Sequence, residues 1–163
     1  MKKIIDKLSL VNNNKTSAVL ALLIVSLIVL GCGGKPEMPT ESASQSLVKT
    51  SLSDLADAID KNDFKAFREK ASADFQASLT EEKVKAAFQT LVTNKVENVP
   101  ILRDAAGKNP TFSPAPSMRE ESGNYILVTN GESVAANGKV KFENEYVWRN
   151  GAWKLLKISV IIS

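Results

Sequence analysis

The chain has 163 residues, no histidine and a single cysteine, Cys32. Without histidine there is no Ser-His-Asp or Cys-His catalysis, and no histidine-ligated zinc or haem. With one thiol there is no internal disulfide, so stability must come from an apolar core. Acidic residues do not fall at calcium-loop spacing, and neither a metal nor a cofactor is expected. Long hydrophobic runs are missing too. The longest uncharged apolar stretch, Ala18 to Leu30, is 13 residues, about 20 Å as a helix at roughly 1.5 Å per residue. A bilayer core about 30 Å thick requires roughly 20 such residues. The run is therefore short for a membrane span and suits the apolar region of a signal peptide, about 7–15 residues.

A surplus of one charge sign is also absent once the two parts of the chain are separated. The formal net charge is +3, from 21 Lys and Arg against 18 Asp and Glu. Four of the bases (Lys2, Lys3, Lys7 and Lys15) and one acid (Asp6) lie in residues 1–31, which leaves 17 of each sign beyond. A nucleic-acid binder carries a basic footprint; residues 32–163 have none, and no nucleic-acid partner is expected.

What is present begins with Val29-Leu30-Gly31-Cys32. A small residue before a cysteine, behind a basic segment and an apolar run, resembles the lipobox of bacterial lipoprotein signal peptides. The resemblance implies that residues 1–31 are removed and that Cys32 becomes the lipid-modified N-terminus. The membrane is then a partner through that lipid, and the location is the bacterial cell envelope. Gly33 rather than Asp follows the cysteine, which resembles lipoproteins sent to the periplasmic face of the outer membrane in Gram-negative cells. Residues 33–45 (GGKPEMPTESASQ) have no apolar period and read as a flexible tether. The remainder, 46–163, is expected to be one domain.

From Ser46 the pattern is helical. Val48, Leu52, Leu55 and Ile59 form one stripe. Asn62-Asp63 caps a second short helix with Phe64, Phe67 and Ala71 on its inner face. Thr80 caps a third, with Val84, Ala87, Phe88, Leu91 and Val92 as its buried stripe. Beyond Asn94 the period becomes two. Val96 to Leu102 is expected as a first strand, at an edge because of Pro100. Gly107 to Pro116 is a proline-rich loop, and strands follow at Met118–Glu121 and Tyr125–Thr129. Asn130-Gly131, Asn137-Gly138 and Asn150-Gly151 are hairpin signals.

With Asn150-Gly151 as a two-residue loop, Trp148 opposes Trp153 and Tyr146 opposes Leu155. Continued regularly, Asn144 opposes Lys157, Phe142 opposes Ser159 and Val140 opposes Ile161 on the helix-facing side. The other side pairs Val147 with Lys154, Glu145 with Leu156, Glu143 with Ile158 and Lys141 with Val160.

Helices followed by an antiparallel meander define α+β. The tail Gly138-Lys139-Val140-Lys141-Phe142…Tyr146…Asn150-Gly151-Ala152-Trp153-Lys154-Leu155 resembles the closing hairpin of the nuclear transport factor two-like superfamily. Leu55-Ala56-Asp57-Ala58-Ile59…Asp63-Phe64…Phe67 is similar to its opening helices. The resemblance implies N-terminal helices on a curved antiparallel sheet, a cone whose pocket holds an active site, a ligand or nothing. Pocket candidates are Asn144, Tyr146, Trp148, Trp153, Lys157 and Ser159. Leu156, Ile158 and Val160 are candidates for a homodimer face on the outer side of the sheet. The leading functional expectation is a non-catalytic, lipid-anchored module that binds a small hydrophobic or polar ligand or a protein partner. The alternatives are a histidine-free isomerase or dehydratase acting on a small hydrophobic substrate, and a structural dimerisation domain.

Overall fold

The computed structural model describes residues 35–163; the segment expected to be a signal peptide and Cys32 lie outside the described residues. Helix α1 spans Glu41–Lys61, capped by the Thr40 side chain, which accepts from the Ala43 N–H at 3.2 Å. It thus starts inside the stretch expected to be a tether. Pro36 is already buried, so the chain is fixed to the domain well before residue 46. Of the residues that made 33–45 look like linker, Thr40 supplies the cap, Ser42 lies on the helix surface and Ser44 is buried beneath it. Val48, Leu52, Leu55 and Ile59 are fully buried, as the stripe requires. Asn62 ends the helix in the left-handed region at φ 54, and its N–H returns to the carbonyls of Ala58 and Ile59.

Three short helices follow: α2 (Lys65–Lys70), α3 (Ala73–Ser78) and α4 (Glu81–Ala87). Helix α3 was not legible as a separate element; the Ser72 hydroxyl accepts from Phe75 N–H to start it. Arg68 then crosses from α2 to donate to the carbonyls of Leu79 and Gln76, satisfying the end of α3. Thr80 caps α4 as expected. Of its expected stripe, Val84 and Phe88 are buried, Leu91 and Val92 are half-buried, and Ala87 faces water. Phe64, Phe67, Phe75 and Phe88 meet as one aromatic cluster. Phe64 stacks on Phe88 at 6.0 Å, and Phe67 meets Phe75 edge-on at 6.1 Å.

After α5 (Gln89–Thr93), the segment expected as a first strand is helix α6, Lys95–Gly107. Its buried residues are Val99, Leu102 and Ala105, a helical spacing, whereas Val96 is 85% exposed. Pro100 removes one N–H from the helix. Pro100 and Val96 both face solvent, so the carbonyl it orphans can be hydrated. Helix α6 packs against α1 and lies on the sheet. Ser133 Oγ donates to the Ala105 carbonyl at 2.7 Å, and Ala136 N–H donates to Asp104 Oδ2 at 2.6 Å. That N–H holds the Asp104 carboxyl below the usual carboxylate range.

The antiparallel sheet contains β1 (Thr111–Phe112), β2 (Ser117–Glu121), β3 (Asn124–Ala135), β4 (Gly138–Arg149) and β5 (Ala152–Ile162). Both β1 and β2 pair with the same edge of β3, and β4 and β5 follow in order. The described domain is thus α+β, with helices before an open five-stranded sheet. One hydrophobic cluster joins both layers.

Of the three Asn-Gly signals, only Asn150-Gly151 is a hairpin loop, with φ 52 and 79. Asn130-Gly131 lies in the middle of β3. There Gly131 is required by close approach, since a Cβ would strike the Thr111 carbonyl oxygen. The β3–β4 loop is Ala136-Asn137, one residue earlier than expected, with positive φ at neither residue.

Candidate functional site

The expected register of the last hairpin holds from its loop through Tyr146↔Leu155 and then breaks. A bulge between Glu145 and Tyr146 leaves Leu156 as an extra residue on β5, and pairing resumes as Glu145↔Lys157, Asn144↔Ile158, Glu143↔Ser159 and Phe142↔Val160. Because side chains alternate faces every residue, one extra residue exchanges the two faces beyond it. Lys157 and Ser159, expected among the pocket residues, are therefore on the outer face. Lys157 Nζ sits 3.9 Å from Glu145 Oε1, and Ser159 lies beside Glu143. Ile158 and Val160, expected on an outer dimer face, pack instead against the core. Only Leu156 of that trio remains outside, in a shallow groove with Ile126 and Val147. A dimer face made from all three is not available.

The other four pocket candidates stay on the inner side. Tyr146, Trp148 and Trp153 line a cleft of about 730 Å³ between α1 and the end of the β4–β5 hairpin. The two indoles meet at 5.3 Å with their planes at 60°. Leu47, Phe67 and Leu155 extend the apolar wall, and Pro39 closes one side. Asp54 and Lys70 stand at the polar rim. Lys70 Nζ is 2.6 Å from Asp54 Oδ1.

The floor is a line of neutral polar groups. Tyr146 OH lies 3.0 Å from Ser51 Oγ, with either hydroxyl able to donate, and accepts from Asn144 Nδ2 at 3.2 Å. Asn144 is fully buried behind the tyrosine rather than in the cleft wall, and Thr129 Oγ1 donates to its backbone carbonyl at 3.4 Å. Burial pushes the Tyr146 hydroxyl up to about 12, against the lowering effect of its bonds to Ser51 and Asn144. It is a neutral hydrogen-bonding group at any ordinary pH. Among the described residues, the buried polar side chains besides Tyr146 are serine, threonine and asparagine. No three His, Cys, Asp or Glu residues there come together as a metal site.

Sequence reasoning missed Ser51, Leu47 and Pro39. A signal for the first was present: Ser44, Val48, Ser51 and Leu55 follow the stripe spacing of α1, and a serine on such a stripe points inward. Pro39 was hidden by the linker-like composition around it. Comparison with protein-family models, curated proteins and solved structures found no match to this chain.

Proposed function

We propose that this chain is a lipid-anchored bacterial envelope protein whose α+β domain is a non-catalytic binding module for a small hydrophobic ligand. The observation that carries the binding part is the cleft between α1 and the β4–β5 hairpin. Its volume falls within the range of small-molecule sites, about 300–1,000 Å³, and its wall is aromatic and aliphatic. A few fixed polar groups at the floor orient a ligand without offering acid–base chemistry. An isomerase-type reaction requires a carboxylate poised near neutral pH beside donors for an oxyanion. Tyr146 faces Ser51 and Asn144, and neither supplies one.

The nuclear transport factor two-like cone is the finer fold assignment we propose. The order of helices before sheet and the closing Gly-Ala-Trp-Lys hairpin support it. Lipidation at Cys32 rests on the lipobox resemblance, as does placement at the periplasmic face of the outer membrane if the cell is Gram-negative. Among the described residues no helix is long and apolar enough to cross a membrane.

Two measurements test this reading. Cys32→Ala should abolish incorporation of labelled fatty acid and move the protein out of the membrane fraction; unchanged labelling would overturn the anchor. Native mass spectrometry of the detergent-extracted protein should detect a retained non-covalent hydrophobic ligand. A domain that is always empty under gentle extraction would count against the binding role.

A further inference from the structure

We infer that the cleft takes an acyl chain of a phospholipid from the bilayer to which the protein is anchored. This rests on the reading of the chain as a lipid-anchored binding module and names the ligand class of that same site.

The first support is the length of chain between the anchor and the cleft. Pro36 is buried and Pro39 forms part of the cleft wall. From Cys32 to Pro36 is four residues, at most about 14 Å of extended chain at roughly 3.3–3.6 Å per residue. From Cys32 to Pro39 is seven residues, at most about 25 Å on the same scale. A 13-residue tether would have let the domain range over about 45 Å, but the docked prolines remove most of that freedom. An acylated Cys32 therefore keeps the cleft wall close to the lipid surface. Tethering of this kind turns binding of a neighbouring lipid into an effectively intramolecular event.

The second support is the chemistry of the lining. Leu47, Phe67, Trp148, Trp153 and Leu155 offer an apolar wall suited to a hydrocarbon chain. Ser51 and Tyr146 on the floor can bond a neutral ester oxygen. A membrane-inserting hairpin would instead carry apolar side chains at its tip. Here the tip is Arg149-Asn150-Gly151, and the exposed large hydrophobics Met38, Val96, Val134 and Ile161 are not at that tip. The tryptophans face the cleft rather than crown the loop.

The chain's only two tryptophans both line the cleft, so its intrinsic fluorescence reports occupancy. The acylated full chain would be reconstituted into phosphatidylethanolamine/phosphatidylglycerol vesicles whose acyl chains are brominated near their ends, and into matched unbrominated vesicles. Quenching by the brominated chains is expected. Thr50→Phe should abolish it, because Thr50 is an exposed α1 residue whose enlargement fills the cleft without disturbing the core. Ala43→Phe, also exposed on the same wall, is the second blocking variant.

A parallel arm uses 6-bromonaphthalene-2-sulfonate, an anionic aromatic quencher repelled by the anionic vesicles. If the sulfonate quenches in a manner both variants block while brominated lipid does not, the module binds hydrophobic ligands and the acyl-chain inference falls. If neither probe gives quenching that the variants block, the binding function falls with it. Lipid quenching that both variants leave unchanged reports mere proximity to the bilayer and also overturns the inference.

Discussion

The two halves of the β4–β5 hairpin, either side of the Leu156 bulge, present opposite solutions to covering a sheet face. Beyond the bulge, Val140 and Phe142 are buried under the helices, with Ile158 and Val160 packed beside them, and the interior is closed. Toward the loop, Tyr146 is still buried against Ser51, but Trp148 and Trp153 are only half-buried and the layer opens into the cleft. Both halves are rich in aromatic and aliphatic residues. Which of them is core and which is site depends on whether a helix lies over it.

The largest expected effect breaks the closed half. Phe142 is buried and meets Phe112 edge-on at 6.1 Å. Phe142→Ala should cost about 3–5 kcal/mol through lost burial and a residual cavity, measured by denaturant unfolding. At the junction, Tyr146→Phe leaves Ser51 and the Asn144 amide without their shared partner. A loss of about 1–3 kcal/mol is expected, with the fold retained.

The same tyrosine links stability to alkaline pH. Its folded pKa, about 12, lies above the ordinary value of 10.0, because the interior accepts the neutral hydroxyl and resists the anion. The unfolded chain releases this proton first, so the contribution is whole below about pH 10 and is lost as pH rises through about 12. Unfolding curves of wild type and Tyr146→Phe across that window should therefore converge. A difference that stays constant to pH 12 would refute the burial argument.

Deleting Leu156 sharpens the comparison further. Without the extra residue, Leu155 and Lys157 follow in regular alternation, and Ile158 and Val160 still point inward. The deletion should cost only about 1–2 kcal/mol, the value of one half-buried leucine, and amide-exchange protection at 158–160 should persist. Smallest of all is Lys157→Ala. Its side chain is exposed beside Glu145 on the outer face, so stability should change by less than about 0.5 kcal/mol. Tryptophan emission should not move. A shifted emission would return Lys157 to the cleft side and contradict the bulge.

Legibility in the sequence followed the reach of local rules. The α1 stripe, the Thr80 cap and the Asn150-Gly151 loop were readable, since each depends on residues within a few positions of one another. Trp148↔Trp153 and Tyr146↔Leu155 followed from that loop, and three of the cleft's aromatics followed with them. Counting failed at the bulge, because nothing in Tyr-Val-Trp or Leu-Leu-Lys marks where a ladder gains a residue. It failed in α6 as well. A proline amid valines suggested an edge strand, whereas contact with α1 and the sheet favoured a helix whose proline lies on its wet side. The Asn130-Gly131 pair misled for a related reason: Gly131 serves an approach by Thr111, 20 residues away in sequence.

The sequence by itself determined the class of the domain, the inward stripe of its first helix and the pairing nearest its last loop. All three arise from periodicity and turn chemistry, which act over a few residues. The tertiary structure alone decided where the linker ends, which face of β5 looks inward beyond Leu156, and that α1 leaves the tryptophan pair uncovered. Those outcomes depend on contacts between segments far apart in the chain, where the free energy of packing overrides what each segment prefers on its own.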